Sequence, residues 1–213
     1  MIAYTFSAFV LAAIVLEFVR GTRARKALGE RTWFGAFESL VSRNRRRYGG
    51  YVVHAAIVLL AIGIAGNAYG VTKVRHLRPG QSMSIRGYRL QYQGAVRHNG
   101  PNDVQERARL AVWRGDSHVA TLMAGKNEYP AEQQTSNEVS IHTDWLRAQD
   151  VFVIGDQFNK DGSVVLKVLV NPLVPFVWLA GLVFLLGALI TMWPDPREAR
   201  RLARRAEPVP VTP

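Results

Sequence analysis

Residues 45–63 read RRRYGGYVVHAAIVLLAIG: three arginines, a tyrosine and two glycines, then an apolar run holding one histidine, His54. The run extends from Tyr51 to Ala68, close to the ~20 residues that cross ~30 Å of hydrocarbon at ~1.5 Å per residue. Two further stretches match it, Ile2–Val19 with Glu17 inside and Leu173–Trp193 with no ionisable group. The pattern predicts a membrane protein with three transmembrane α-helices. Arg20, Arg23, Arg25 and Lys26 follow the first stretch and no basic residue precedes it, so it reads as a retained helix with its amino terminus outside.

The formal charge of +11 is unevenly spread. The segment Arg20–Arg47 carries +7 and the segment after Trp193 carries +2, whereas Val71–Val170 carries only +3 over a hundred residues. Arginine-rich short segments beside spans stay in the cytoplasm, which places the long segment on the other side. The basicity is therefore topological. No nucleic-acid motif accompanies it, and no nucleic-acid partner is expected. The expected order is a first span over 1–20, a basic cytoplasmic segment over 21–47, and a second span carrying His54 over 48–70. A β domain over 71–170, a third span over 171–193 and an unstructured cytoplasmic tail over 194–213 complete it.

Within 21–47, Trp33, Phe37, Leu40 and Val41 share one helical face, as in a helix lying at a membrane surface, and a simple connector fits the same segment. Beyond the second span the periodicity changes to two. Tyr88, Leu90 and Tyr92 alternate with polar residues, as do Ala108, Leu110 and Val112. Further strands are expected at His118–Met123, Glu138–Ile141, Val151–Ile154 and Val164–Val170, separated by turns at Pro79-Gly80, Asn99-Gly100-Pro101, Arg114-Gly115-Asp116 and Lys160-Asp161-Gly162. Short strands at this spacing predict a small antiparallel β-sandwich or barrel-like extracytoplasmic domain between helices 2 and 3. Pro172 is expected to open the third span.

The chain contains no cysteine, which excludes disulfides, thiol chemistry and iron–sulfur clusters and leaves five histidines as metal ligands. His54 stands about 10 Å beyond Arg47 along a helix, roughly a third of the way into the hydrocarbon. An ionisable group at that depth is costly without a partner, and a neutral imidazole suits a haem iron. A histidine hydrogen-bonded to a neighbouring helix fits the same position. Gly49, Gly50, Ala55, Ala56, Ala61, Gly63, Ala65 and Gly66 admit another helix or a flat ligand, and Gly66-x-x-x-Gly70 is a weak packing signal. His76, His98, His118 and His142 all lie in the β domain, about 20 Å or more along the chain's path from His54. If His54 ligates a haem through two axial histidines, the second comes from another chain. No nucleophile elbow, phosphate loop, zinc motif or carboxylate pair is present, so no catalytic residue is expected here.

Four ordered stretches, spanning about residues 40 to 195, resemble the carboxy-terminal part of the CcmF family, the membrane haem lyase of bacterial System I cytochrome c maturation. They are Arg45–His54 running into Gly63-Ile64-Ala65-Gly66; Leu77-Arg78-Pro79-Gly80-Gln81-Ser82 followed by Gly87-Tyr88-Arg89-Leu90; Asn127-Glu128-Tyr129-Pro130 followed by Glu138-Val139-Ser140-Ile141; and Asn171–Trp178 with Gly181 and Gly187. The resemblance implies that His54 is one axial iron ligand of a b-type haem held in the membrane. It also implies a β domain facing the periplasm of a bacterial inner-membrane protein. The family further has a tryptophan-rich WWD segment, two periplasmic histidines that hold haem delivered by the chaperone CcmE, and a second transmembrane ligand. None has a counterpart here, for Trp33, Trp113, Trp145, Trp178 and Trp193 are never clustered. The chain thus resembles the carboxy-terminal piece of a split or truncated lyase. The implied partners are an amino-terminal chain with the WWD segment, CcmE, and apocytochrome c with its presenting proteins. The implied function is a haem lyase subunit that shares haem b with its partner and is not expected to act alone. The competing expectation is a non-catalytic membrane-anchored assembly factor whose β domain binds a partner protein.

Overall fold

The computed structural model describes residues 1–193, so the expected tail over 194–213 lies outside the described residues. The chain forms two units, Met1–Ala61 with the chain from Leu179 onward, and Ile62–Trp178.

In the first unit the helices among the described residues are α1 (Ile2–Ala27), α2 (Trp33–Arg43), α3 (Arg45–Gly66) and α4 (Pro175–Met192), the last two extending into the second unit. α1, α3 and α4 are long and apolar enough to cross a membrane. α1 outruns its apolar stretch, because Arg and Lys are good helix formers and continue the helix to Ala27. Thr32 ends the connection that follows. Its hydroxyl accepts the Gly35 N–H at 3.0 Å, capping α2. The buried face of α2 is Ala36 and Leu40, while Trp33, Phe34 and Phe37 remain exposed. Leu40 packs where Gly21 of α1 has no side chain.

The second unit holds nine antiparallel strands: β1 (Val71–Leu77), β2 (Ser82–Ile85), β3 (Tyr88–Asn99), β4 (Val104–Arg114), β5 (Ser117–Tyr129), β6 (Gln134–Glu138), β7 (Ser140–Asp144), β8 (Gln149–Phe158) and β9 (Val164–Pro172). They make one sheet of order β1-β9-β8-β7 and another of order β2-β3-β4-β5-β6. Between the sheets lie Tyr88, Leu90, Tyr92, Leu110, Val112, Val151, Val153, Leu166 and Val168. Every one comes from an alternating run, and the sandwich is the inward half of that alternation. All four expected turns fall between strands.

Three differences from the sequence pattern have local causes. β1, β2 and β6 were not expected: all three are edge strands, β1 and β6 have largely exposed side chains that lack a buried period, and β2 buries only Met83 and Ile85 within four residues, a run too short for its alternation to stand out. Glu138–Ile141 is not one strand but a corner: β6 ends at Glu138 in one sheet and β7 starts at Ser140 in the other. The third span opens at Pro175 rather than Pro172, because β9 runs through Pro172 and Leu173 then turns at φ 65°.

Strand β1 follows α3 and pairs with β9, which precedes α4, from Val71↔Val170 to Leu77↔Val164. This pairing brings the carboxy end of α3 against the start of α4. A Cβ on Gly66 would collide with the Pro172 carbonyl and the Leu173 side chain, and one on Gly63 with Val177. Gly70 meets Asn171 in the same way. The Gly66-x-x-x-Gly70 pair therefore serves this connection within the chain.

Candidate functional site

His54 and Gly50 stand one turn apart on α3, and His54 Nδ1 lies 2.7 Å from the Gly50 carbonyl oxygen. A carbonyl only accepts, so Nδ1 carries a proton, and in the neutral ring Nε2 keeps its lone pair. A hydrogen bond of this kind fixes the tautomer and makes the other nitrogen a better ligand.

At 100° per residue the face of α3 around His54 divides into three sectors. One meets α1. Arg47 Nη2 donates to Glu17 Oε2 at 2.6 Å and its Nε donates to the Tyr51 hydroxyl at 3.2 Å. Phe18 of α1 packs on Tyr48 and Tyr51 with ring centroids 5.0 and 6.2 Å apart. A second sector meets α4, where Gly49 lies against Gly187 and Thr191, and Gly187 against Val53. The third sector carries Gly50, His54, Ile57 and Ala61. Here the last three side chains are exposed, and a Cβ on Gly50 would meet nothing within 4 Å.

The small residues of this span thus do two jobs. Gly49 and Gly63 are consumed by packing inside the chain, whereas Gly50 leaves a flat opening beside the imidazole. The open sector presents one nitrogen lone pair, a glycine gap and aliphatic walls, the donor set and shape that suit a planar apolar macrocycle ligated through its iron. One imidazole would supply one ligand to such a group. The Glu17–Arg47 pair was not anticipated, although its signal was present: a carboxylate near one end of a span and an arginine opening the next.

Three of the four β-domain histidines have contacts of their own, and His98 is exposed on β3. His76 Nε2 lies 2.7 Å from Ser163 Oγ, and that hydroxyl donates to Asp161 Oδ1 at 2.6 Å. The serine proton therefore goes to the carboxylate, the reverse of what a nucleophilic serine requires. The hydrogen bonds from the Ser163 hydroxyl and amide hold the Asp161 carboxyl below its usual range. His118 contacts Thr121 at 3.2 Å and lies edge-on to Trp113. His142 lies edge-on to Tyr88. Among the described residues no three histidines or carboxylates gather as a metal site.

At the other end of the sandwich the Tyr88 hydroxyl donates to Asp144 Oδ2 at 2.8 Å, and Arg114 Nη1 reaches the same oxygen at 3.0 Å. Burial, then the bond to Asp144, push the Tyr88 phenol up to about 12. Burial acts to raise the Asp144 carboxyl, but the Tyr88 and Arg147 hydrogen bonds and the two arginine charges outweigh it and hold it low.

A family model described as the CcmF C-terminal beta-sandwich matches residues 68–172, from the short turn Asn67–Tyr69 after α3 to the last residue of β9. The β domain belongs to the CcmF family. Cytochrome c-type biogenesis protein CcmF of Pseudomonas aeruginosa is 27% identical over 188 residues, covering 88% of this chain and 27% of the relative. Cytochrome c-type biogenesis protein CycK of Rhizobium meliloti is 26% identical, covering 79% of this chain and 25% of the relative. A solved structure, Cytochrome c Heme Lyase CcmF, superposes with a TM-score of 0.61 at 22% identity, over 86% of this chain and 34% of that one. That likeness shows the fold. The chain spans about a quarter of the length of the curated CcmF relatives it matches, and it aligns with them well beyond the sandwich. Bacterial CcmF relatives and three membrane-length helices make this a bacterial membrane protein.

Proposed function

We propose that this chain acts in cytochrome c maturation as part of a membrane haem lyase, contributing His54 as one axial ligand of a b-type haem shared with a partner polypeptide. The observation that carries this reading is the Gly50–His54 pair. The 2.7 Å bond from Nδ1 to the Gly50 carbonyl leaves Nε2 as a ready ligand on a sector of α3 that no helix among the described residues covers.

The chain's own residues bind and orient. Gly50 and His54 fix the ring, Gly50 leaves room for a flat ligand edge, and Ile57 and Ala61 exclude water. When bound, the haem would supply electron transfer to the haem destined for the cytochrome. The sector is half a site: it offers one ligand, and the second, with the WWD segment and the residues that receive haem from CcmE, belongs to the partner. In the assembled complex the reaction is thioether formation between haem vinyl groups and apocytochrome cysteines. The arginine-rich segment before Tyr48 is cytoplasmic, and the β domain faces the periplasm, towards CcmE and apocytochrome c.

The test is His54→Ala, with the chain co-expressed with an amino-terminal lyase partner and purified as the complex. The b-type absorbance band is lost while the complex is recovered in normal yield. Retention of the band at full intensity would sink the ligand assignment.

A further inference from the structure

We propose that the turn joining β7 to β8, Trp145-Leu146-Arg147, docks on the phospholipid surface beside the start of α4, with Trp145 and Leu146 in the boundary between headgroups and acyl chains.

The turn presents two adjacent large apolar side chains, Trp145 at 58% and Leu146 at 96% exposure. It is not a loose tip. The Arg147 N–H donates to the Asp144 carbonyl at 3.3 Å and to Asp144 Oδ1 at 3.2 Å, and the Ala148 N–H donates to the Trp145 carbonyl at 3.3 Å. Asp144 is itself held by Tyr88 and Arg114. A fixed backbone therefore points the indole and the isobutyl group outwards, away from the sandwich core.

Its position selects the occupant. The Ala148 carbonyl accepts the Leu173 N–H at 2.6 Å, two residues before α4 opens at Pro175. At about 3.3 Å per extended residue, the turn lies within about 10 Å of the residues where the chain enters the membrane. Tyr69, between α3 and β1, is 50% exposed at this end. Trp178, in the first turn of α4, is 54% exposed, its indole N–H donating to Asp150 Oδ2 at 3.3 Å. Tryptophan and tyrosine at one level, with aliphatic groups and an arginine, are the composition of a membrane interface. The Arg147 side chain is 51% exposed and shares its charge with Asp144 at 3.6 Å, leaving guanidinium edges for phosphate.

The far end of the sandwich supplies the contrast. The β8–β9 hairpin presents Asn159, Lys160 and Asp161, with no exposed large apolar side chain. A domain whose near turn is apolar and whose far turn is polar fits one that rests on lipid through the near turn.

The absence of cysteine makes the test direct. Single-cysteine variants Leu146→Cys and Lys160→Cys, both at exposed positions, are spin-labelled in the full chain. The chain is reconstituted in phosphatidylethanolamine–phosphatidylglycerol vesicles, and collision with oxygen and with a water-soluble nickel chelate is measured. The label at 146 meets oxygen more often and nickel at least about threefold less often than the label at 160. Equal nickel collision at the two positions overturns the proposal. Protection at 146 from both oxygen and nickel also overturns it, because protein rather than lipid would then cover the turn.

Discussion

The β-sandwich and the helical unit solve burial in opposite ways. In the sandwich, Leu90, Leu110, Val112, Val151, Val153 and Val168 are all 0% exposed and belong to one core cluster drawn from both sheets. In the helical unit the apolar windows of α1, α3 and α4 are 6%, 28% and 17% buried by protein. Water drives the first arrangement, since each fully buried aliphatic side chain gains roughly 1.5–3 kcal/mol. A lipid-facing side chain needs no protein partner, so packing between spans rests on close contact at small residues such as Gly49 and Gly187. Exposure therefore means different things in the two units. An exposed Ile57 on a span is ordinary, and an exposed His54 on the same span asks for a partner.

The sharpest way to break this comparison is to cut into each unit. Leu110→Ala, at the centre of β4, is expected to cost the sandwich about 2–5 kcal/mol. Amide hydrogen exchange on the full chain in detergent should show the loss across β3 to β5, with α1 and α3 unaffected. Uniform loosening of both units would instead mean that they share one cooperative fold.

Two neighbouring glycines come next. Gly49→Val places atoms where Gly187 and Thr191 already lie, so α3 and α4 must separate. Gly50→Ala meets nothing within 4 Å and gains up to about 1 kcal/mol in helix propensity. The expectation is thermal destabilisation for Gly49→Val. Gly50→Ala keeps or raises the melting temperature and lowers haem retention by the co-expressed complex. Equal melting temperatures for the two variants would contradict the division of α3 into packed and open sectors.

The smallest expected effect is alkaline. Tyr88 holds its proton up to about 12 in the folded chain against 10 for a free phenol. Its folded pKa is raised, so its contribution is complete below pH ~10 and is lost as the pH climbs towards ~12. The carboxyl of Asp144 is held low, so its contribution is present at neutral pH and is lost as the pH falls through its lowered value. The melting temperature of the sandwich in Tyr88→Phe should therefore fall less steeply over pH ~10–12 than in the parent chain. An unchanged alkaline slope would remove Tyr88 as the cause.

Much of the molecule was legible in its pattern. Three apolar stretches gave the spans, and strict alternation at Tyr88-Leu90-Tyr92 and Ala108-Leu110-Val112 gave the centre of the sandwich, because these residues are buried on one side only. The edge strand β6 was invisible for the complementary reason. Gln134–Glu138 is exposed throughout, so burial imposes no period on it. His54 stood out by chemistry alone, as an imidazole within an apolar run.

By itself the sequence determined which segments could cross a membrane, where the alternating strands lie, and which residue is the candidate ligand, since these follow from hydropathy and period along the chain. Three things were decided only by the tertiary structure: that Gly49 is filled by α4 while Gly50 stays open, that Arg47 answers Glu17, and that Ala148 is tied to Leu173 at the membrane entry. Each depends on which residues distant in sequence come within a few ångströms. Local propensity carries no record of that distance; only the pairing of strands and the contact of helices sets it.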